Sequence, residues 1–163
     1  MTDPAHPELQ RENRRALELT EQYNTTSVTE RHERERLLKK LFAAVGEGVE
    51  IRAPLHCDHG QQTHIGARVF ADFNLVLLDA GRITIGDDVH LGPNVQLLTT
   101  NHPTEPAQPI AIGHRVHLGG GVIVCPGVTI GDNTVVSPGS VVLEDLPANV
   151  VASGNPARIV RSL

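Results

Sequence analysis

The histidine in "LLTTNHPTEPAQPIAIG" (residues 97–113) sits where a regular sequence rhythm breaks. A neutral imidazole, with an unperturbed pKa of about 6.5, can accept a proton near neutral pH, so His102 has the chemistry of a general base. Pro103, Pro106 and Pro109 follow it, which excludes helix and paired strand and makes the stretch a loop pushed out of the repeat. His56, His59, His64, His90, His114 and His117 form a second group of imidazoles. His59 and His64 have H-x4-H spacing, a pattern that could begin a zinc site.

The rest of the composition says what must position these side chains. The chain has 163 residues, one Tyr, three Phe and no Trp, against 15 Gly and 11 Pro. A core of large rings is excluded, so small and β-branched residues must pack a narrow, regular interior. The formal net charge of -5, with no long basic run, argues against a nucleic-acid surface. No apolar run approaches the ~20 residues that span a bilayer, and "MTDPAHPELQ" lacks a signal-peptide core. Cys57 and Cys125 are too few for a disulfide framework; a cytoplasmic protein is expected.

From residue 65 the chain reads in sixes: "IGARVF", "ADFNLV", "LLDAGR"; "IGDDVH", "LGPNVQ", "LLTTNH"; "IGHRVH", "LGGGVI", "VCPGVT"; "IGDNTV", "VSPGSV", "VLEDLP". Ile, Leu or Val holds every first position except Ala71, and the fifth is usually Val, Thr or Ser. A fixed short period means stacked supersecondary units. Six residues suit a short strand and a turn, and three such units close a triangular coil, stacked at about 4.8 Å. The first position points inward, while Gly, Asn, Asp and Pro serve the corners. Four coils are predicted, with a partial one around residues 48–64. Ile83-Thr84 reads as a small insertion and residues 103–111 as the expelled loop. His90 and His117 share a slot and should stack.

Residues 1–48 form a helical cap in this reading, and 49–163 the β-helix. "HPELQRENRRALELTEQYN" carries a thin apolar stripe of Leu9, Ala16 and Leu19. "SVTERHERERLLKKLFAAVG" starts with Ser27 and Glu30 at capping-box spacing and should end at Gly46. Its buried face would be Leu37, Leu38, Leu41, Phe42 and Val45.

The segments "TTNHP", "IGDDVHLGPNVQL", "HLGGGVIVCPGVTIGDN" and "LPANVVASGNPARIVR" resemble the maltose and galactoside O-acetyltransferases of the hexapeptide-repeat family. "HCDHG" and the "DPAHPEL…YNTT" helix match the same group. The resemblance implies a left-handed parallel β-helix, a homotrimer with sites between neighbouring subunits, and acetyl-CoA as donor. It makes His102 the base that deprotonates a hydroxyl of a sugar or similar small acceptor as it attacks the thioester. It places Asp58 and Asp72 on the acceptor, and Gly120, Pro138, Leu143, Glu144, Arg158 and Arg161 on CoA. No metal is expected.

The departures from the family pattern are informative. Asp72 stands where Asn is usual; Asn donates and accepts, whereas an ionised Asp only accepts. Glu144 replaces a Lys and removes an attraction for phosphate, and His117 replaces an aromatic residue. The loop after His102 is short and a segment before "DPAHPEL" is missing, so a more open acceptor pocket is expected. Two rival readings remain on the same fold: a zinc site like that of the γ-class carbonic anhydrases, built from the histidines, and a catalytically weak trimeric scaffold.

Overall fold

The computed structural model describes residues 7–102 and 104–163. Two helices, α1 (Pro7–Thr25) and α2 (Arg31–Leu41), precede a β-helix of five coils. The first wall holds Ala44–Val45, Thr63–Ile65, Ile83–Ile85, Ile110–Ile112 and Thr129–Ile130. The second holds Glu50–Ile51, Phe70–Ala71, His90–Leu91, His117–Leu118, Val135–Val136 and Val150–Gly154, closed by Ala157–Ser162. The third holds Leu55–Cys57, Leu75–Leu78, Gln96–Leu98, Ile123–Val124 and Val141–Val142. All neighbours pair in parallel except the last strand, which turns back antiparallel on Val150–Gly154. This is the left-handed parallel β-helix expected.

The hexads explain the interior. All twelve first positions, from Ile65 to Val142, are buried, at 3% exposure or less. Fifth-position Val69, Leu75, Val89, Val95, Val116, Val122 and Val128 are buried beside them. Where the fifth slot is polar, its hydroxyl is satisfied locally: Thr134 Oγ1 donates to the Pro147 carbonyl at 2.6 Å and Ser140 Oγ to that of Ser137 at 2.7 Å. After the first wall the second position is glycine in each of these coils, at Gly66, Gly86, Gly113 and Gly131. A Cβ on Gly86 would lie 2.7 Å from the Gly113 carbonyl carbon.

The corners use left-handed backbone. Arg68, Asp88, Arg115, Asn133 and Asn149 all have φ between 54° and 61°, stacked along one edge. Side-chain bonds run along that edge: Arg68 Nε to Asp88 Oδ1 at 2.7 Å, Arg115 Nε to Asn133 Oδ1 at 2.7 Å, Asn133 Nδ2 to Asn149 Oδ1 at 2.8 Å. Polar side chains that tolerate αL thus repay its strain by bonding the next coil.

Four expectations need correction. The first coil is complete, with strands on all three walls from Ala44 onward, so Val45 is wall rather than helix. Helix α2 stops at Leu41, short of Gly46. Ile83 and Thr84 are not the insertion: they pair with Thr63 and His64, and the extra residues lie in the preceding corner, 79–82. The expelled loop is shorter than 103–111, because Ile110–Ile112 rejoins the first wall.

The capping box is half formed. The Glu30 carboxylate accepts from the Ser27 N–H at 2.9 Å, but Ser27 Oγ accepts from Thr29 N–H at 3.3 Å and the helix starts later, at Arg31.

The helices cover the first coil through hydrogen bonds as well as packing. Asn24 Nδ2 donates to the Leu55 carbonyl at 2.9 Å and its Oδ1 accepts from the Leu55 N–H at 2.8 Å, so one amide side chain acts as a neighbouring strand would. Tyr23 Oη and Arg34 Nη2 both donate to the Ile51 carbonyl. No described helix is long and apolar enough to cross a membrane.

Candidate active site

Extra residues accumulate along one edge, where the third wall turns into the first. Register spacing shows it: Leu77 pairs with Leu97 and Leu97 with Val124, while Ile85 pairs with Ile112. Segments 58–62, 79–82 and 99–109 therefore lie above one another. Here the structure puts Asp58, Asp79 and His102, with Leu143 and Glu144 further up the same edge.

His102 is exposed at the root of the loop. Its Nδ1 lies 2.8 Å from Thr104 Oγ1 and 3.3 Å from the Thr104 amide nitrogen. Its carbonyl accepts from Thr100 Oγ1 at 2.8 Å and from the Glu105 N–H at 3.0 Å. The loop's return leg is tied down where the Gln108 N–H meets the Thr99 carbonyl at 2.7 Å. The imidazole thus has a fixed backbone and one ring nitrogen held by a hydroxyl.

Asp58 is half-buried and lines a cavity of about 410 Å³ between α1 and the third wall, with Leu17, Glu21, Asn24, His56 and Leu78. Burial pushes its carboxyl above the usual carboxylate range, opposed by nearby His59. Its carbonyl accepts from Asn13 Nδ2 at 2.9 Å. Cys57, beside it, is buried, and burial with the adjoining Asp79 carboxylate drives its thiol far up, so it is no nucleophile.

Asp72 lies on a different edge, between the second and third walls, with Gly120 and Pro138 above it. Its Oδ1 accepts from its neighbour Phe73 N–H at 2.9 Å and lies 3.4 Å from Arg52 Nη1. Arg158 and Arg161 stand on the reversed last strand of the second wall. Glu144 Oε2 comes within 3.5 Å of Arg158 Nη1. Within one chain, then, the structure groups His102 with Asp58 along one edge and Glu144 with Arg158. It leaves Asp72, Gly120 and Pro138 across a wall.

The remaining histidines are spread out. His90 and His117 stack as expected, centroids 4.8 Å apart, with Phe70 4.9 Å below His90. Burial, then the charge of His90, lowers the pKa of His117. His114 Nδ1 accepts from the Asp87 N–H at 2.9 Å. Among the described residues of the single chain no group of three or more His, Cys, Asp or Glu is arranged to hold a metal.

Sequence reasoning missed Asp79 and the α1 residues of the cavity. Asp79 occupies a corner slot like Asp87 and Asp132, and nothing in the sequence separates it from them.

Two family models match. One is the maltose acetyltransferase hexapeptide capping motif, over residues 3–46; the other is the bacterial transferase hexapeptide of six repeats, over residues 109–144. A galactoside O-acetyltransferase of Escherichia coli (strain K12) is 40% identical over 91% of this chain and 78% of its own. A solved galactoside acetyltransferase in complex with coenzyme A superposes with a TM-score of 0.94 at 38% identity, covering 98% of this chain and 84% of that one. The hexapeptide-repeat acetyltransferase VCA0836 of Vibrio cholerae O1 biovar eltor, complexed with acetyl coenzyme A, gives a TM-score of 0.93 at 35% identity over 100% and 93%. With the coil, the cap and this identity together, the chain belongs to the hexapeptide-repeat family of maltose and galactoside O-acetyltransferases.

Proposed function

We propose that this enzyme moves an acetyl group from acetyl-CoA to a hydroxyl of a sugar or similar small acceptor, with His102 as general base, in a cytoplasmic homotrimer. The observation that carries this reading is the placement of His102 at the root of the expelled loop, along the same edge as Asp58. Thr104 engages Nδ1 and leaves Nε2 free of protein partners; in the tautomer protonated at Nδ1, whose proton Thr104 Oγ1 can accept, Nε2 carries the free lone pair. That nitrogen takes the acceptor's proton as its oxygen attacks the thioester carbonyl; the carbonyl becomes an oxyanion, collapses, and expels the CoA thiolate. No acyl-enzyme is needed, because the thioester is already activated.

Asp58 lies about two coil spacings from His102 along that edge, roughly 10 Å of axial rise. It orients the acceptor's other hydroxyls as a hydrogen-bond acceptor. Arg158 and Arg161 supply positive charge for CoA phosphates, and Gly120, Pro138 and Leu143 line the pantetheine path. Because Gly120, Pro138 and Asp72 stand on another edge, a complete site needs the His102 edge of one subunit and the second–third edge of its neighbour. The short loop and the cavity under α1 leave the acceptor side open.

The test is a hydroxyl-acceptor screen with acetyl-CoA, reading released thiol, together with light scattering for subunit number. Acetylation that persists unchanged in His102→Ala, or a monodisperse active monomer, overturns the reading.

A further inference from the structure

Asp79 is fully buried, with 0% exposure, and the mechanism above does not use it. Its carboxylate is satisfied entirely by the corner of the coil below. Oδ1 accepts from the His59 N–H at 2.9 Å and lies 3.5 Å from Cys57 Sγ. Oδ2 accepts from the Gly60 N–H at 2.8 Å and from Thr63 Oγ1 at 2.8 Å. Four donors from residues 57 to 63 thus converge on one buried anion, each stronger for its charge. The residue enclosed by these anchors is Asp58, whose own N–H goes to the Leu77 carbonyl at 3.2 Å.

Other corner Asp residues bind one backbone N–H of the coil below and keep contact with solvent. Asp132 Oδ1 takes His114 N–H at 2.8 Å, and Asp145 Oδ1 takes Thr129 N–H at 2.7 Å. Asp79 is different in number of donors and in burial, and only its corner carries an acceptor residue. The four donors that hold it carry no positive charge, and it also acts on Asp58 through space.

We propose that Asp79 is a positioning residue for acceptor binding: it freezes the 57–63 corner and holds the Asp58 carboxylate at its height on the cavity wall. This rests on the reading that Asp58 touches the acceptor. The groups that face Asp58 are His59 and Asp79 from the corner, His56 from the third wall and Glu21 from α1. Of these, Asp79 is the buried anion, so removing its charge lets Asp58 ionise at lower pH. The conservative change Asp79→Asn is informative because an amide nitrogen placed at Oδ2 would face the Gly60 N–H donor to donor.

The experiment pairs two readouts. First, the Asp58 carboxyl is titrated by carbon-13 NMR on Asp-labelled protein, without any acceptor. Its titration should move to lower pH in Asp79→Asn. Second, acetyl transfer to methyl β-galactopyranoside is measured in the wild type, Asp79→Asn, Thr63→Val and Thr63→Ser. Asp79→Asn should raise the acceptor KM about tenfold and Thr63→Val about threefold, as loss of one or more charge-assisted bonds implies. The acetyl-CoA KM should not move, and Thr63→Ser should behave as wild type. An unmoved Asp58 titration, or equal rises in both KM values, overturns the proposal. Thr63→Val carries the test if Asp79→Asn does not fold. Asp58→Asn is run in parallel: if it leaves the acceptor KM unchanged, the parent reading of Asp58 has failed, whereas a rise there with none in the Asp79 and Thr63 variants sinks the positioning role alone.

Discussion

Glu144 and Arg158 face each other at 3.5 Å, an acid from the last coil's corner held against a cation from the reversed strand. Both side chains are largely exposed, so the pair adds little to stability. If Arg158 meets CoA phosphates as proposed, the acid competes with CoA for the guanidinium. Glu144→Lys frees Arg158 and adds a second cation. Two exposed charge contacts of roughly half a kcal/mol each amount to about a fivefold lower acetyl-CoA KM. The gain should shrink between 50 and 300 mM salt, since such charges are screened. Calorimetry of CoA binding at two salt concentrations checks it.

His102→Ala should lower kcat by about 10²- to 10⁴-fold, the range of general-base contributions, with the acetyl-CoA KM little changed. Thr104→Val, which removes the hydroxyl at 2.8 Å from Nδ1, should cost less and shift the basic nitrogen's tautomer balance. Steady-state kinetics across pH 5–9 separates the two.

Asp58 carries a raised pKa because it is half-buried. The native state therefore binds a proton more readily than the unfolded chain does, and stability is lost as pH rises from about 4 through the folded value. Asp58→Asn removes that penalty. Its Tm should exceed the wild type's at pH 7, and the difference should vanish near pH 4, even though acceptor binding is weakened. Thermal scans at the two pH values decide the matter.

His117 shows the opposite sign. Burial and neighbouring His90 depress its pKa, so the unfolded chain takes up protons first as pH falls below about 6.5. Wild-type Tm should fall between pH 7 and pH 5, and His117→Phe should flatten that slope while keeping the ring stack on His90. An identical slope in both proteins would count against the assignment.

Asn94 holds φ of 61° and its Oδ1 accepts from Asn74 Nδ2 at 3.1 Å. Asn94→Ala loses the bond and keeps the strained backbone, a cost of about 2 kcal/mol. Asn94→Gly relieves the strain and should cost about half as much. Urea denaturation of the two variants gives the comparison.

The period of six was enough to name most of the interior, because the first slot points inward in every coil and the fifth does so wherever the corner carries no extra residues. It hid the first coil. "VGEGVE", "IRAPLH" and "CDHGQQ" keep the frame, but Cys57 fills an aliphatic slot and Gln61 holds a fifth slot where Val, Thr or Ser is usual. The extra residues were misplaced for a physical reason. A two-residue enlargement can be absorbed at a corner without disturbing the strands, so Ile83 and Thr84 stay paired while 79–82 bulge.

In the candidate site, the position of His102 was legible because a broken rhythm marks an expelled loop. The separation of Asp58 from Asp72 was not, since hexad counting gives depth along the coil and only the closed triangle says which edge a residue lies on. Asp79 was invisible because burial of a corner carboxylate depends on the coil beneath it.

The caps have a consequence beyond stability. A stack of parallel strands offers unpaired N–H and C=O groups at both ends, and would otherwise invite another molecule to continue the spiral. Asn24, Tyr23 and Arg34 occupy those groups at the first coil, and the backward run of Ala157–Ser162 occupies the second wall at the last. Seals of this kind disfavour end-to-end addition of one chain on another, the route by which such a spiral would grow into a filament.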